Sequence, residues 1–483
     1  MTGWRIKANS VRWLAVAVGA TLAAAIAVAL VALSRGTGSS VAQTDATTTA
    51  VSVPAPKSTS APTPAPTPIR HAGILDGAPM SDEEWEARKD MLPVAVMVDN
   101  SPSAFPQSGL DKADLVYEAF VEGAITRFMA VFWRRDAERI EPVRSARTPF
   151  VTWADELGAL YAHAGGATTE NEANAIGQIY EWRIKDLNAF GSGADSKYYR
   201  DQERYAPFNL VTGTVWLREA GDALGYVGPP TVEPWPFKAA GQGTGGAPAV
   251  LAFEVDFEER RHPSQVIQWR WDAGSKSYLR FQSGGPHLDA VTQEQLRFTN
   301  VIVMRVPWEV VDDAGHVLLQ QFGQGQASVF VDGKKVEATW KKADRKARTR
   351  FYDSFGVEIA FNRGPVFIEV LGPASLLITS ETVDGLAPMP EYTPPPPDAL
   401  PPESPAEEPA PSATPAPSGS PSPSPSKSPT PGSRTPVASS TPAASSTPAA
   451  SSTPAPSGSA TVAPSPSQPP ATASPPAASA TPG

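Results

Sequence analysis

Large apolar and aromatic residues are spread unevenly along the 483-residue chain, and this restricts a packed core to its middle. After residue 394 there is no aromatic residue, and this tail holds more than half of the 53 prolines. Segments of such composition bury too little apolar surface to offset the entropy of ordering the chain. We therefore expect a disordered linker at residues 34–73, a folded part at 74–391, and a disordered Pro/Ser/Thr/Ala-rich tail at 392–483.

An unbroken run of apolar and small residues occupies positions 13–33. As a helix rising about 1.5 Å per residue, it reaches across the roughly 30 Å of a bilayer core. Basic residues without acidic ones precede it within residues 1–12, which predicts a cytoplasmic N-terminus and an extracytoplasmic bulk. A cleaved secretory signal ending at residues 40–42 stays open as the alternative. The first interpretation predicts a single-pass protein of the cell membrane.

Several classes of chemistry are excluded by composition and by missing motifs. The chain has no cysteine, which rules out disulfides, thiol nucleophiles, zinc-thiolate sites and lipid-modified cysteines. Its formal net charge is −10 and no basic stripe appears, so nucleic acid is not an expected partner. Gly-x-Ser-x-Gly, His-Glu-x-x-His, P-loop and EF-hand patterns are absent from the sequence.

A Pro- and Gly-rich segment, residues 228–248, divides the folded part into two regions. In residues 74–227 strand and helix signals alternate, which predicts an α/β domain with a mixed sheet and helices. In residues 249–391 nearly every apolar run is short and strand-like, with Gly-containing turns between the runs. We therefore predict a smaller β-rich C-terminal domain joined to the first by an interdomain linker.

A hairpin is the most readable element of the first domain. A two-residue turn at residues 123–124 would place Phe120 opposite Arg127. In that register Glu118, Glu122 and Arg127 share one face, while the other face is mainly apolar. A surface ion pair explains these charges if the face is solvated, and a ligand explains them if both faces of the sheet are covered. Both interpretations stay open.

Two arginines lie at the predicted start of a helix. Thr148 and Pro149 have the composition of an N-cap and first turn, and Gly158 ends the helix. Free N–H groups and the positive end of the helix dipole favour an anion there, and Arg144 and Arg147 add forked donors suited to phosphate. The alternative is that both arginines pair with structural acids.

A second helix start is predicted after a short strand at residues 160–162, which is followed by His163. Gly165 and Gly166 allow the backbone to approach a neighbour closely, and Thr169 with Glu172 fits a capping box. His163 is a candidate ligand-binding residue, an acid or base, a metal ligand, or a satisfied structural histidine.

These features are predicted to converge. Asp99 ends a buried strand, and ligands of open α/β sheets sit at the carboxyl ends of strands. We expect Asp99, the segment from Arg144 to Arg147 (the arginine segment) and the loop at Gly165 and Gly166 (the Gly-Gly loop) to meet in one crevice.

The order of several motifs resembles the YerB-like family of bacterial lipoproteins over residues 92–372. That family has no established activity, so the resemblance implies an envelope location and a two-domain layout. Its typical member is anchored through a lipidated cysteine, and here the apolar segment must replace that anchor. The motifs are LPVAVMVDN, PQSGLDKADLVYEAFVEGAITRFMAVF, IEPVRSAR, YAHAGG, SGGPHLDAVT and GKKVEATWKKADRKARTRFYDSFGVEI.

Residues 92–166 are also similar to the LytR-CpsA-Psr phosphotransferases, which transfer a glycan phosphate from a polyprenyl-pyrophosphate carrier to the cell wall. The resemblance implies that Asp99 holds a magnesium ion, that Arg144 and Arg147 hold the pyrophosphate, and that residues 165–166 shape the pocket. This chain departs from that family directly after the second arginine, where a threonine stands in place of an aspartate.

Two functions remain open. The first is a non-catalytic cell-envelope protein that binds an anionic ligand, a wall polymer or a partner protein, and the second is a magnesium-dependent phosphotransferase acting on lipid-linked glycan. No complete catalytic set can be assembled, so no residue is assigned a catalytic role. The candidate ligand-binding residues are Arg144, Arg147, His163, Gly165, Gly166, Glu118 and Arg127, and Asp99 is the candidate metal ligand.

Overall fold

Strands are the main regular secondary structure of the described part of the chain, which the computed structural model gives as residues 69–239, 241–257 and 266–391. The strands before residue 228 are β1 (His71–Ala72), β2 (Pro79–Met80), β3 (Val94–Asp99), β4 (Leu115–Phe120), β5 (Thr126–Phe132), β6 (Leu160–His163), β7 (Lys185–Asn188), β8 (Tyr199–Arg200) and β9 (Leu210–Val211). The strands after residue 248 are β10 (Ala252–Asp256), β11 (Val266–Asp272), β12 (Ser277–Gln282), β13 (Gly285–Pro286), β14 (Arg297–Phe298), β15 (Asn300–Arg305), β16 (Trp308–Val310), β17 (Val317–Leu319), β18 (Gly323–Val331), β19 (Lys334–Lys342), β20 (Arg350–Tyr352), β21 (Val366–Leu371) and β22 (Leu376–Ser380).

Within the described residues, the helices are short and lie before residue 228. They are α1 (Asp82–Arg88), α2 (Thr148–Leu157), α3 (Ala175–Glu181) and α4 (Thr214–Ala223). Single 3-10 turns cover Pro102–Ala104, Leu110–Lys112, Glu122–Ala124 and Asp195–Lys197. The described chain is thus a mixed sheet with few helices and a β-rich C-terminal region, in agreement with the predicted fold class.

A ten-stranded sheet runs through both halves in the order β20-β19-β18-β15-β21-β4-β5-β3-β6-β7. The halves join where β21 pairs in parallel with β4, which sets Glu369 beside Glu118. A second, antiparallel sheet in the order β13-β12-β11-β10-β22 packs on one face of the first. Phe253 of the second sheet stacks on Phe330 of the first, with ring centroids 3.7 Å apart.

Both faces of the central strands are covered. On one face, the side chains of Met97, Tyr117 and Met129 pack with Phe150 and Trp153 of α2. On the other face, alternate residues of the same strands pack under the second sheet and α4. Every residue of β3, β4 and β5 is buried, as in sheets that are sandwiched between two layers. Charged side chains in these strands must therefore find partners inside the protein.

The predicted hairpin register is wrong by one residue. Phe120 pairs with Thr126 rather than Arg127, and the Val121 amide donates to the Ile125 carbonyl at 3.0 Å. The loop therefore contains three residues, Glu122–Ala124, in which Gly123 takes a left-handed φ of 74°. Because side chains alternate with a period of two, Arg127 lies on the opposite face from Glu118. Neither forms the solvated ion pair considered above, since both are buried.

Both predicted helix starts need correction. The helix after Arg147 begins at Thr148, so Arg147 is itself the N-cap residue and Thr148 is the first helical residue. Gly158 ends this helix in a left-handed conformation, as predicted. The capping box at Thr169 and Glu172 does not form. The next helix begins at Ala175, where Asn174 accepts the Gly177 amide at 2.7 Å.

The division at residues 228–248 stays a prediction, and the described strands on both sides of it share one sheet. The apolar segment 13–33 and the tail 392–483 lie outside the described residues, as does most of the linker 34–73. Among the residues that the structure describes, no helix is long and apolar enough to cross a membrane.

A buried ion cluster fastens α2 to the second half. The Glu156 carboxylate accepts from Lys342 Nζ at 2.7 Å, from Arg348 Nη1 at 2.6 Å and from the Thr349 hydroxyl at 2.8 Å. Burial raises the pKa of Glu156, but the charges of Arg348 and Lys342 outweigh it and hold the pKa below its usual value. Each ion in this cluster needs the others, because an unpaired buried charge is strongly unfavourable.

We expect Lys342→Met to lower the free energy of unfolding by about 3 kcal/mol, because it removes one buried cation from Glu156. Lys335→Met is the matched control on the same strand, since its partner Glu337 is 71% exposed, and should cost less than about 1 kcal/mol. Chemical denaturation of the full chain in detergent measures both changes. If the two substitutions lowered the free energy of unfolding by the same amount, this would contradict the stabilising role of the buried ion cluster.

Candidate functional site

The arginine segment lies against the Gly-Gly loop at the end of β6. The Ala164 amide donates to the Arg144 carbonyl at 3.0 Å, and the Ala146 amide donates to the Gly165 carbonyl at 2.9 Å. Ala146 and Gly166 form a parallel bridge. The structure therefore brings together two of the segments that the sequence predicted to converge.

The two glycines serve this backbone contact. Gly165 has a φ of 63°, which side-chain-bearing residues rarely adopt. A Cβ atom at Gly166 would lie 2.8 Å from Ile176 Cδ1 and 3.2 Å from Ala146 Cβ. The close approach for which a glycine pair was predicted is thus made to Ala146 and Ile176.

Asp99 ends β3 as predicted and pairs with Arg144. The Arg144 Nε atom donates to Asp99 Oδ2 at 2.5 Å, and the Ser101 amide donates to Asp99 Oδ1 at 2.6 Å. Burial raises the pKa of Asp99, but the charges of Arg144 and Arg127 and the Ser101 amide bring it below its usual value. A metal ion at Asp99 would have to displace Arg144, and the described residues contain no group of three His, Cys, Asp or Glu side chains placed to hold one. The magnesium assignment stays a prediction.

Arg147 forms a forked ion pair with Glu122. Arg147 Nε donates to Glu122 Oε2 at 2.6 Å, and Arg147 Nη2 donates to Glu122 Oε1. Arg127 reaches the same carboxylate only at 3.5 Å and otherwise donates to the Ser145 carbonyl at 3.0 Å. Burial raises the pKa of Glu122, but Arg127 and Arg147 more than compensate, so it stays ionised.

We refer to Asp99, Glu122, Arg127, Arg144 and Arg147, together with Tyr161, as the arginine cluster. Three guanidinium groups, those of Arg127, Arg144 and Arg147, lie in this cluster. Burial and the neighbouring Arg147 charge lower the pKa of Arg127 to about 10. Within the described residues, Arg127 Nε and the Tyr161 hydroxyl are buried without a hydrogen-bond partner. The cluster thus has more donors than its own acceptors satisfy.

The cluster is reached from the surface beside Glu122 and Arg147, whose side chains are 22% and 14% exposed. Gly315, in the turn between β16 and β17, lies next to Glu122: a Cβ atom placed on Gly315 would be 3.8 Å from Glu122 Cβ. Asp312 in the same turn accepts from Asn171 Nδ2 at 3.0 Å and pairs with His316 at 2.8 Å. Polar loops from both halves of the chain therefore border this entrance.

His163 is a satisfied buried residue. Its Nδ1 atom lies 2.6 Å from the Gly165 carbonyl oxygen, and its Nε2 atom lies 2.9 Å from Asp186 Oδ1. The ring thereby holds the Gly-Gly loop in place and has no ring nitrogen left for a ligand in this arrangement. Its candidate ligand-binding role stays a prediction that the contacts do not favour.

Glu118 belongs to a different buried cluster, on the face that the second sheet covers. Arg280 Nη2 donates to Glu118 Oε2 at 2.5 Å, and Arg280 Nη1 lies 2.5 Å from His287 Nδ1. His287 Nε2 lies 2.9 Å from Gln107 Oε1, Gln107 Nε2 donates to Asn100 Oδ1 at 3.1 Å, and Asn100 Nδ2 donates to Glu118 Oε1 at 2.7 Å. These five side chains close a ring of hydrogen bonds, which we call the buried ring.

The proton positions in the buried ring follow from its chemistry. Arg280 can only donate, so His287 Nδ1 accepts and His287 Nε2 carries the proton that it donates to Gln107. Burial and the Arg280 charge lower the pKa of His287 well below its usual value, which agrees with a neutral imidazole. Four of the hydrogen bonds therefore run from Arg280 through His287, Gln107 and Asn100 to Glu118, and the fifth runs directly from Arg280 to Glu118. The ring links the two halves of the chain.

A second carboxylate, Glu369, lies beside Glu118 because β4 and β21 pair in this register. Trp269 Nε1 donates to Glu369 Oε1 at 2.8 Å, while Glu369 Oε2 has no partner among the described groups as long as both carboxylates are ionised. Burial and the Glu118 charge raise the pKa of Glu369 well above its usual value. Once protonated, Glu369 can donate a hydrogen bond to Glu118. The positive charge of Arg280 then balances the one remaining negative charge, on Glu118.

The sequence did not identify Arg280, Glu369 or Tyr161 as candidates. Arg280 lies in β12, where Arg280 and Gln282 point inward while Leu279 and Phe281 are partly exposed. An ordinary strand buries its apolar residues and exposes its polar ones, so the alternation in β12 wrongly predicts that Arg280 is exposed. Glu369 lies within an apolar run of the sequence, and its charge in such a run is the sequence signal that could have identified it.

Comparison with known proteins gives consistent matches to both halves. A family model described as the N-terminal domain of a protein of unknown function, DUF3048, matches residues 77–227, and the C-terminal domain of the same family matches residues 253–368. The chain belongs to this family. The YerB-like resemblance is thereby confirmed.

Two matches to Bacillus subtilis YerB extend this result. The strain 168 protein, provisionally designated a lipoprotein, is 28% identical over 272 residues, which cover 55% of this chain and 78% of YerB. The crystal structure of YerB aligns over 64% of this chain and 99% of its own, with 25% identity and a TM-score of 0.55. The family shares the fold, but its description assigns no activity.

We expect Glu369→Gln to flatten the pH dependence of stability. A raised folded-state pKa means that folding takes up a proton, so the free energy of unfolding falls as the pH rises above the ordinary glutamate value of about 4.3, by up to about 1.4 kcal/mol per pH unit. Glutamine donates to Glu118 without that proton and should be the more stable form at neutral pH. Denaturation between pH 5 and 8 measures the slope.

Glu358→Gln provides the control for this pH experiment, because Glu358 pairs with Arg350 at a partly exposed position outside the buried ring. It should keep the wild-type slope. A Glu369→Gln variant with the wild-type slope would show that Glu369 is ionised in the folded protein.

Proposed function

We propose that this protein is a membrane-anchored, extracytoplasmic protein of the cell envelope that binds an anionic ligand at the arginine cluster without catalysing its conversion. The observation that carries the proposal is the excess of buried donors. Among the described residues, Arg127 Nε and the Tyr161 hydroxyl are buried donors without an acceptor. Unpaired buried donors are unfavourable, and a bound anion supplies the missing acceptors.

The position of Arg147 supports the same proposal. It is the N-cap residue of the ten-residue helix α2, where no side chain caps the free amides. The positive end of the helix dipole and the guanidinium group act together on an anion at this place. Phosphate and carboxylate groups both have the charge and the oxygen acceptors that such donors favour.

Binding is preferred over phosphoryl transfer because the residues needed for transfer are otherwise engaged. Asp99, the carboxylate that the phosphotransferase resemblance assigns to magnesium, is held by Arg144 and the Ser101 amide. Arg147 is followed by Thr148 and not by an acidic residue. The contacts of the arginine cluster therefore support an anion site and supply no catalytic base.

The proposed location rests on the family and on the sequence. The related YerB protein is provisionally designated a lipoprotein. This chain has no cysteine to carry a lipid, so we assign the anchor to the apolar segment 13–33. A lipid-linked glycan or an anionic wall polymer would present the required charge on the outer side of the membrane.

Inorganic pyrophosphate should stabilise the full chain in detergent against thermal unfolding. At 100 times its dissociation constant the free energy of unfolding is expected to rise by about 2.7 kcal/mol, and the rise should persist in EDTA. Arg147→Gln should remove the effect, because it deletes the donor nearest the entrance.

Arg88→Gln is the matched control for this experiment. Arg88 also pairs with a carboxylate, Asp136, through both guanidinium nitrogens, but it lies outside the arginine cluster. This variant should keep the pyrophosphate effect. No stabilisation of the wild type, or equal loss in both variants, would contradict the proposed site. Stabilisation that needs magnesium and disappears in Asp99→Asn would favour the phosphotransferase interpretation.

A further inference from the structure

We infer that Glu122 is a displaceable internal ligand, and that a phosphoryl group takes the place of its carboxylate when the arginine cluster binds its ligand. The inference rests on the proposed function and adds the ligand class and the movement that binding requires. It follows from the contacts of Glu122, from the donors that Glu122 leaves unsatisfied, and from the loop that carries it.

Glu122 occupies the position that an incoming anion needs. Its carboxylate holds the Arg147 fork and is the nearest acceptor of Arg127 Nη2. It also lies at the start of helix α2, where Arg147 is the N-cap residue. No external anion can use the Arg147 fork while Glu122 remains there. The described structure is therefore a closed state in which the protein supplies its own anion.

Glu122 satisfies the cluster only in part. Its two oxygens accept from Arg147 Nε and Nη2 and, at 3.5 Å, from Arg127 Nη2. Arg127 Nε and the Tyr161 hydroxyl remain without an acceptor, although both are buried. Burial raises the pKa of Tyr161, and the charges of Arg127 and Arg147 act on its hydroxyl in the opposite direction.

A phosphoryl group matches this donor set better than a second carboxylate does. Its three terminal oxygens can accept from the Arg147 fork and also from the two donors that Glu122 leaves unsatisfied. A carboxylate ligand would reproduce the two-oxygen arrangement already present. The geometry therefore points to a phosphate ester or pyrophosphate as the ligand class.

The loop that carries Glu122 can move without disturbing the sheet. It contains only Glu122–Ala124, between β4 and β5, whose residues are all buried. Gly123 is exposed, and a Cβ atom placed on it would have no neighbour within 4 Å. Rotation about Gly123 would withdraw the carboxylate toward solvent and leave the Arg147 fork open.

The direct test compares the binding of inorganic pyrophosphate by full-length wild type and Glu122→Gln in detergent, using calorimetry. Removing the internal anion should tighten binding about tenfold or more, because less of the protein is held in the closed state. Asp136→Asn is the matched control, since Asp136 forms the equivalent forked pair with Arg88 outside the cluster. It should bind pyrophosphate as the wild type does.

The outcomes separate this inference from the proposed function. If the wild type binds pyrophosphate and Glu122→Gln binds it equally well or more weakly, the inference is overturned but the proposed function stands. If neither protein binds, the proposed function fails and the inference falls with it. Succinate tests the ligand class, and a wild-type preference for succinate over pyrophosphate would overturn the assignment of a phosphoryl group.

A measurement on the wild type covers the case in which Glu122→Gln does not fold. The Val121 amide is protected by its hydrogen bond to Ile125 at the base of the loop. Saturating pyrophosphate should speed hydrogen exchange at residues 121–125 as Glu122 leaves Arg147. Unchanged or slower exchange there, with pyrophosphate bound, would overturn the proposed displacement.

Discussion

The parallel pairing of β4 with β21 is the contact on which the rest of the structure depends. It joins strands from the two halves of the chain into one ten-stranded sheet and places β4, β5 and β3 in the interior of that sheet. A central strand is covered on both faces, so every charged side chain in it must be satisfied inside the protein. The pairing also sets Glu118 directly beside Glu369, and the raised pKa of Glu369 follows from its burial and from this register.

The polar groups of the sheet centre are consequently sorted into two clusters on opposite faces. At the end of β3, Asp99 turns toward the arginine cluster, and the next residue, Asn100, turns toward the buried ring. At the start of β5, Arg127 and Thr126 divide in the same way. The buried ring is closed and has no route to solvent through its own side chains, whereas the arginine cluster opens beside Glu122. Because of this difference we assign a structural role to the buried ring and ligand binding to the arginine cluster.

Strand positions were predictable from the sequence because apolar runs of β-branched residues are a local signal. The strand ending at Asp99 and the β-rich second half lie where they were expected, and the strand predicted at residues 160–162 forms and extends by one residue to His163. The convergence of the arginine segment with the Gly-Gly loop followed from the rule that carboxyl ends of parallel strands share one edge. The family resemblance was also visible in the order of the motifs.

Other features could not be predicted, because they depend on contacts between distant parts of the chain. A three-residue loop and a two-residue turn differ by one residue, and that residue decides which face Arg127 occupies. The partner of Glu118 is Arg280, which is 162 positions away and lies in a strand whose alternation is reversed. Glu122 could be placed near Arg127 from the hairpin, but its fork with Arg147 required the folded structure.

The central claim is that the arginine cluster is a site for an external anion. The most direct test is a crystal structure of the protein with bound pyrophosphate. The account predicts density for the anion between Arg127, Arg147 and Tyr161, with the Glu122 carboxylate turned away from the Arg147 fork. Pyrophosphate bound at another surface, with Glu122 still paired to Arg147, would contradict it.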